Sequence, residues 1–494
     1  MSAVRLAHLV ADAGAEVRGD LPADATFGTI ERDARKVAPG DLFIAIRGER
    51  FDGHDFVADA AGRGAGAALV SRVWAGGGRD VGLPLLVVDD PTSALQRLAT
   101  AHRARLGDRL TVIGVTGSVG KTSVKEVIAT VLAHRFTTYR SPGNLNNEIG
   151  LPLSLLEVGP DHEVAVLEMG GAYAHGELTL LASIARPSIG VVTNVYPVHL
   201  ERMGTIEAIA ETKAELVAAL PPGGTAILNG DDPRVRAMAS RTGARVITYG
   251  LDRENTIRAD GVVSEALEGT TFRLHFGGET VHAKVPLVAG HAVHLALAGI
   301  AAGHAMGMAI PEALVGLRDP SVQVRLLVLP GPNGSRLIDD TYNASTPSVL
   351  SALGLLEELR PTRAIAVLGD MRELGSLAED EHRLVGRRAG RVADIVVTFG
   401  PLARIIAAEA SALNATDVGG RPPAVVSFDL DQRAELTRYL LDTLRDGDIV
   451  LLKGSRGLEM EDIVTALRPD VGGASSDPTA PDRGLQVGDE GSGS

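Results

Sequence analysis

The stretch Leu110-Thr111-Val112-Ile113-Gly114-Val115-Thr116-Gly117-Ser118-Val119-Gly120-Lys121-Thr122-Ser123 decides how the rest of the chain reads. Its first six residues are almost continuously apolar and predict a buried strand. The residues from Val124 to Leu132 predict a helix. Strand, glycine-rich loop and helix form the setting in which backbone N–H groups approach phosphate oxygens and a helix N-terminus favours their charge. Lys121 is placed to reach terminal phosphates, and the Thr122 hydroxyl to hold Mg²⁺. The spacing is irregular: the common phosphate-loop pattern wants glycine where Val115 stands, and this chain offers Gly114, Gly117 and Gly120 instead. A purely structural glycine turn is the competing reading. Lys-Thr at a helix start, directly after a buried strand, argues against it.

Outward from the loop, apolar runs at 110–115, 164–168, 189–193, 225–229 and 245–249 alternate with helical segments. That pattern predicts a parallel sheet covered on both faces. Between 257 and 288 the pattern alternates, as in Phe272-Arg273-Leu274-His275-Phe276, and predicts antiparallel strands; a helix near 291–306 closes the unit. Further on, strands are expected at 336–339, 364–368, 394–399, 424–427 and 448–452, with helices at about 347–360, 378–391, 401–413, 430–445 and 458–467. This is a second doubly wound unit. Before the loop, runs such as Leu42-Phe43-Ile44-Ala45-Ile46 and Leu85-Leu86-Val87-Val88 mark a small α/β unit, in which the Ala-rich stretch 56–68 reads as helical. The expected fold is α/β in three domains: a small N-terminal domain (1–108), a central phosphate-loop ATPase domain on a parallel sheet (109–323) and a Rossmann-like C-terminal domain (324–468). A disordered tail (469–494) follows, rich in Gly, Ser, Asp and Pro.

Composition narrows the chemistry. There is no cysteine among 494 residues, so disulfides, thiolate metal sites and cysteine nucleophiles are excluded. Any metal is held by oxygen or imidazole, and oxygen ligands suit Mg²⁺. The net charge of −14 argues against non-specific nucleic-acid binding. The N-terminus reads as a short amphipathic helix rather than a signal peptide, and the apolar stretch 285–310 carries His291, His294 and His304, which suits a buried helix better than a membrane span. A cytoplasmic protein without membrane insertion is expected.

Several polar residues stand near the expected crevice, each with two open readings. Glu168 ends the run Val164-Ala165-Val166-Leu167, where a carboxylate points into the ligand crevice and can hold a metal. It can equally be a solvated strand-end acid. Asn194 follows the next strand, and His199 lies five residues later, either a metal ligand or a structural loop histidine. Lys213 sits in a predicted helix over 205–220, where a solvated lysine is the plain reading. The loop Gly143-Asn144-Leu145-Asn146-Asn147-Glu148 either reads a polar substrate or caps a turn.

Taken together, these pieces resemble the Mur ligase family, whose loop is of the Thr-Gly-x-x-Gly-Lys-Thr-Ser type. The likeness covers about 1–468. Four segments tie it to the branch that adds D-alanyl-D-alanine: Asp33-Ala34-Arg35-Lys36-Val37-Ala38-Pro39-Gly40-Asp41-Leu42-Phe43 with Gly48 to Phe56; Gly143 to Pro152; Asp340-Thr341-Tyr342-Asn343-Ala344 with Val367-Leu368-Gly369-Asp370-Met371-Arg372-Glu373-Leu374-Gly375; and Lys453-Gly454-Ser455-Arg456-Gly457. The resemblance implies that the first domain holds a UDP-sugar, the second ATP and Mg²⁺, and that the third swings in with the incoming amine. The implied substrates are UDP-N-acetylmuramoyl-tripeptide and D-alanyl-D-alanine, joined through an acyl phosphate by a monomer. It implies Thr116, Gly117, Ser118, Val119, Gly120, Lys121, Thr122, Ser123, Arg325 and Asp340 as nucleotide contacts. It further implies Thr122, Glu168, His199 and a carbamylated Lys213 at metal, Lys121, Lys213 and His199 as catalytic, and Asn146, Asn147 and Asn343 toward substrate. Two alternatives stay open: another Mur-type amide ligase, such as a folylpolyglutamate-like one, and a non-catalytic nucleotide-binding relative. The chain departs from the family at His291-Ala292-Val293-His294-Leu295, where His-Asn-x-x-Asn is usual and helps hold adenine, and at Ala34, where Ser or Thr is common.

Overall fold

The computed structural model describes residues 4–48, 51–78, 80–171, 174–198, 200–265, 268–287, 292–319, 327–414 and 422–468. Among these residues the strands form three large sheets and one two-stranded ribbon, Val4–Arg5 with Thr26–Phe27. The tail 469–494, read as disordered, lies outside the described residues.

The central sheet has nine strands in the order Glu279–Val285, Thr270–Phe276, Ile257–Ser264, Arg245–Gly250, Thr225–Asn229, Ile189–Val192, Thr111–Thr116, Val164–Glu168 and Thr138–Arg140. The last seven run parallel, and the first two add antiparallel. Thr111–Thr116 lies between Val164–Glu168 and Ile189–Val192, both of which come later in the chain. Successive connections therefore leave it in opposite directions, and such a switch point opens a crevice at the carboxyl ends of the strands. The apolar runs are long because both faces are covered. On one face the helices Lys121–Ala133 and Ala292–Ala305 pack with Ile113, Val115, Val166 and Val191; on the other lie Val112, Ala165, Leu167 and the helices Gly150–Leu156 and Glu177–Ala185.

The third sheet has the order Leu327–Pro330, Arg336–Asp339, Asp448–Lys453, Arg363–Gly369, Ile395–Phe399 and Ala424–Phe428, parallel except for its first pair. Helices cover both faces, giving two apolar layers. The N-terminal sheet has the order Glu16–Arg18, Leu85–Val88, Ala67–Ser71, Leu42–Ile44 and Ile30–Glu31, with only the first pair antiparallel. Here one expectation needs correction. The stretch 56–68 is not one helix: the helix spans Val57–Gly62, and Ala67–Ser71 is a central strand. Gly64, at φ +89, turns the chain, and small Ala67 and Ala68 fit the covered interior of the sheet.

The expected division at 108/109 falls in the short turn Gly107–Arg109. The helix before it, Pro91–Leu106, serves both neighbours. Its Leu95 and Leu98 enter the N-terminal core, its Ala99 enters the central one, and Arg103 Nε donates to the Ala185 carbonyl at 3.0 Å. No described helix is long and apolar enough to cross a membrane.

Candidate active site

The phosphate loop is built from outside as much as from within. Val115 is buried in the strand, opposite Glu168 in register, so the position where a glycine is usual is here a core position of the sheet. The turn begins at Gly117, with φ +147, where an added Cβ would stand 1.9 Å from Thr193 Oγ1. Gly120, at φ +80, adopts the left-handed conformation that starts the helix Lys121–Ala133. The segment after Ile189–Val192 grips the loop. Asn194 Oδ1 accepts from the Val119 N–H at 2.8 Å, and Asn194 Nδ2 and Thr193 Oγ1 donate to the Val119 carbonyl at 2.9 and 3.0 Å. Ser118 N–H donates to the Asn194 carbonyl at 2.9 Å. Lys121 Nζ donates to the carbonyls of Gly117 and Ser118 at 2.8 and 3.2 Å, so its charge is held over the loop.

One turn into the crevice, Thr122 Oγ1 donates to Glu168 Oε2 at 2.8 Å. Glu168 is 2% exposed, and its other oxygen accepts from Asn146 Nδ2 at 2.7 Å. Its own N–H donates to Ser141 Oγ at 3.1 Å. The acid is therefore an oriented carboxylate, not a solvated strand end. A hydroxyl and a carboxylate this close are oxygen donors of the kind a hard cation takes.

Lys213 lies on the helix Ile206–Ala218, in one stripe with Ile209, Leu216 and Val217. That stripe faces the sheet, so the lysine is buried. Nζ donates to the Gly170 and Gly171 carbonyls at 2.9 and 2.7 Å. Burial, helped by the charge of Lys121, pushes its ammonium well below the usual lysine range. A neutral amine has two N–H donors, matching those two carbonyls, and one lone pair.

Across the crevice the third domain supplies a wall. Lys453, at the end of Asp448–Lys453, donates from Nζ to Asp340 Oδ2 at 2.6 Å and to the Asn343 carbonyl at 2.8 Å. Lys453 and Asp340 are 1% and 8% exposed. Both line a cavity of about 770 Å³ whose other walls include Gly120, Ser123, Asn194, Tyr249 and His294. His294 Nε2 lies 2.7 Å from Asp231 Oδ2. Burial raises the Asp231 carboxyl, but hydrogen bonds from His294 and the N–H groups of Leu251 and Asp252 outweigh it and hold the group well below the usual carboxylate range. Arg456 stacks over Tyr342 at 5.2 Å and donates to Asn144 Oδ1, joining the third domain to the central one.

The residues expected from sequence thus fall into groups. Lys121, Thr122, Glu168, Asn146 and Lys213 meet at the switch point, and Asp340 lines the neighbouring cavity with Val119, Gly120 and Ser123. Asn147 Oδ1 accepts from the Gly150 N–H at 2.8 Å, at the start of the helix Gly150–Leu156. Asn343 is exposed beside Lys453. His199 and Arg325 lie outside the described residues. Sequence reasoning gave no role to Lys453, Asp231 or Ser141. Lys453 carried the same signal as Glu168, a charge ending an apolar strand.

Fold and site together define an ATP-dependent amide ligase, and the chain belongs to the Mur ligase family. Residues 26–103 match the Mur ligase family catalytic domain, 115–303 the Mur ligase middle domain, and 324–456 the Mur ligase glutamate ligase domain. Among its relatives, the UDP-N-acetylmuramoyl-tripeptide--D-alanyl-D-alanine ligase of Bacillus subtilis (strain 168) is 36% identical over 452 residues, covering 89% of this chain and 92% of that protein. A crystal structure of MurF from Acinetobacter baumannii matches with a TM-score of 0.80 at 26% identity, over 94% of this chain and 99% of that one. MurF from Thermotoga maritima in complex with ADP matches with a TM-score of 0.72 at 28% identity, over 89% and 96%.

Proposed function

We propose that this chain joins D-alanyl-D-alanine to the peptide carboxylate of UDP-N-acetylmuramoyl-tripeptide, using ATP, and so makes the pentapeptide precursor of peptidoglycan. The observation that carries this reading is the meeting of Lys121, Thr122, Glu168 and a buried Lys213 in one crevice, in a chain alike over most of its length to ligases named for this reaction.

A carboxylate is a poor acylating group, so it must first be activated. Transfer of the γ-phosphoryl group from ATP to the tripeptide carboxylate gives an acyl phosphate and ADP. The dipeptide amine then attacks the acyl carbon, phosphate leaves and the amide forms. The protein's work is positioning and charge neutralisation. Lys121, released from the loop carbonyls, meets the phosphate oxygens. The first N–H groups of its helix have no acceptor within the helix and face the same charge. Thr122 and Glu168 would hold Mg²⁺, with His199 and Lys213 holding a second ion. Mg²⁺ supplies charge neutralisation on the phosphoryl oxygens. Lys213 serves as a carbamate: its neutral amine adds to CO₂ and releases one proton, turning a cation into an anionic oxygen ligand. Asn146 orients Glu168, and Asn147 and Asn343 belong to the acceptor and amine sides. Asp340, with Arg325, addresses the nucleotide from the third domain, while His294 and Asp231 border the base end of the cavity. The first domain, 1–108, takes the UDP-sugar. We place the enzyme in the cytoplasm, where ATP and UDP-linked sugars are made, and read it as a monomer.

Phosphate release with the muramyl tripeptide and a panel of amines tests the reading. Turnover that depends on D-alanyl-D-alanine is expected. Turnover with glutamate and a folate instead would replace it with the folylpolyglutamate-like alternative, and nucleotide binding without turnover would replace it with the non-catalytic one.

A further inference from the structure

One buried cation in the phosphate helix has no part in the chemistry above. Lys125 follows Lys121 by four residues, one turn along the same helix. It is 0% exposed. Its Nζ donates to the Ser141 carbonyl at 2.5 Å and the Gly143 carbonyl at 2.9 Å, and pairs ionically with Glu126 Oε1 at 3.0 Å. Glu126 in turn meets Arg140 Nη1 at 3.0 Å. The chain Arg140–Glu126–Lys125 thus ends on two carbonyls of the loop 141–147. That loop supplies two of the side chains hydrogen-bonded to Glu168: Ser141 Oγ accepts from its N–H, and Asn146 holds Oε1.

A fully buried ammonium is hard to justify as a stabiliser. Replacing such an ion together with its partners by apolar groups is often neutral or favourable, whereas methionine at Lys125 alone fills the volume and leaves Glu126 and two carbonyls without it. What methionine cannot do is fix two backbone carbonyls at once. We infer that Lys125 is a positioning residue, whose ammonium ties the phosphate helix to the loop 141–147 so that Ser141 and Asn146 present Glu168 to the metal beside Thr122. The inference rests on the proposed role of Glu168 as a Mg²⁺ ligand.

The test uses binding, so it does not depend on turnover. The affinity of the full chain for a non-hydrolysable ATP analogue is measured by calorimetry across a Mg²⁺ titration, for wild type, Lys125→Met, Asn146→Ala and the double variant. In Lys125→Met, analogue affinity without Mg²⁺ is expected to stay within about twofold, while the Mg²⁺ concentration for half-maximal enhancement rises about 10–100-fold, the usual effect of removing a support behind a metal ligand. In the Asn146→Ala background, Lys125→Met adds little, because both act through one loop. A Mg²⁺ requirement unchanged by Lys125→Met, or an equal shift in both backgrounds, overturns the inference. If Lys125→Met does not fold, Glu126→Gln, which weakens one of the three restraints, must shift the Mg²⁺ requirement in the same direction by a smaller factor; no shift overturns the inference. A wild-type chain that couples Mg²⁺ to nucleotide but makes no amide would fault the proposed reaction and leave the role of Lys125 standing.

Discussion

The central and C-terminal sheets use one device with opposite signs. Each ends a buried parallel strand on a charged residue at the mouth of the crevice: Glu168 after Val164–Leu167, and Lys453 after Ile449–Leu452. Both are almost wholly buried. Their partners differ. Glu168 accepts neutral hydrogen bonds from Thr122 and Asn146, so its negative charge is oriented but not cancelled. Lys453 is cancelled by Asp340 within its own domain. Among the described residues the central domain therefore keeps a carboxylate without an ion pair, the one we propose for a metal, whereas the third domain lines the cavity with a paired lysine and aspartate. A pre-paired wall costs less to desolvate than a bare ion.

The comparison can be broken by single substitutions. The largest effect is expected from Lys121→Ala, which removes the one side-chain cation of the phosphate loop. Release of phosphate dependent on both substrates should fall about 10³-fold or more; near-normal turnover would remove the loop from the mechanism. Lys213→Ala comes next. It should lose most activity and recover part of it with short carboxylic acids, and ¹³CO₂ should give a carbamate resonance in wild type only. The carbamate needs the neutral amine, and burial depresses the lysine's pKa, so the carbamate should be favoured over that of an exposed lysine and be lost as pH falls. Full activity without added acid would reject the role.

The third domain gives a smaller and different response. Lys453→Met leaves Asp340 buried without its cation, and an uncompensated buried charge costs about 3–5 kcal/mol. Lys453→Met with Asp340→Leu should regain much of that stability in chemical denaturation while nucleotide affinity stays weak. A double variant as unstable as the single one would show that the pair does more than cancel charge. The smallest effect belongs to His294. His294→Leu removes one of several hydrogen bonds on Asp231, so KM for ATP should rise about 2–10-fold with kcat nearly unchanged. A fall in kcat alone would place His294 nearer the chemistry.

Much of this was legible in the sequence, for physical reasons that can be named. Buried parallel strands must be apolar on both faces, so runs such as Val164-Ala165-Val166-Leu167 showed both a strand and the crevice at its end. Glu168 stood out because a charge terminates such a run. The stretch 56–68 misled because alanine favours helices in isolation but also fits a crowded sheet interior. Lys213 was legible only through the family resemblance; in a helix, burial of one lysine depends on which face meets the sheet. The grip of Asn194 on Val119 and the seal of Lys125 on the loop 141–147 join residues 75 and 16–18 positions apart. No local pattern encodes such contacts. The departures at Ala292 and Leu295 were visible as missing amides, while the pairing of His294 with Asp231 beside them needed the fold.

The central claim is that this crevice activates a carboxylate by phosphorylating it. The direct measurement uses UDP-N-acetylmuramoyl-tripeptide labelled with ¹⁸O in its reacting carboxylate, turned over with ATP and D-alanyl-D-alanine, with the released phosphate analysed by mass spectrometry. An acyl phosphate transfers one labelled oxygen to each phosphate released, and that is the predicted result. Unlabelled phosphate, released while amide forms, would contradict it.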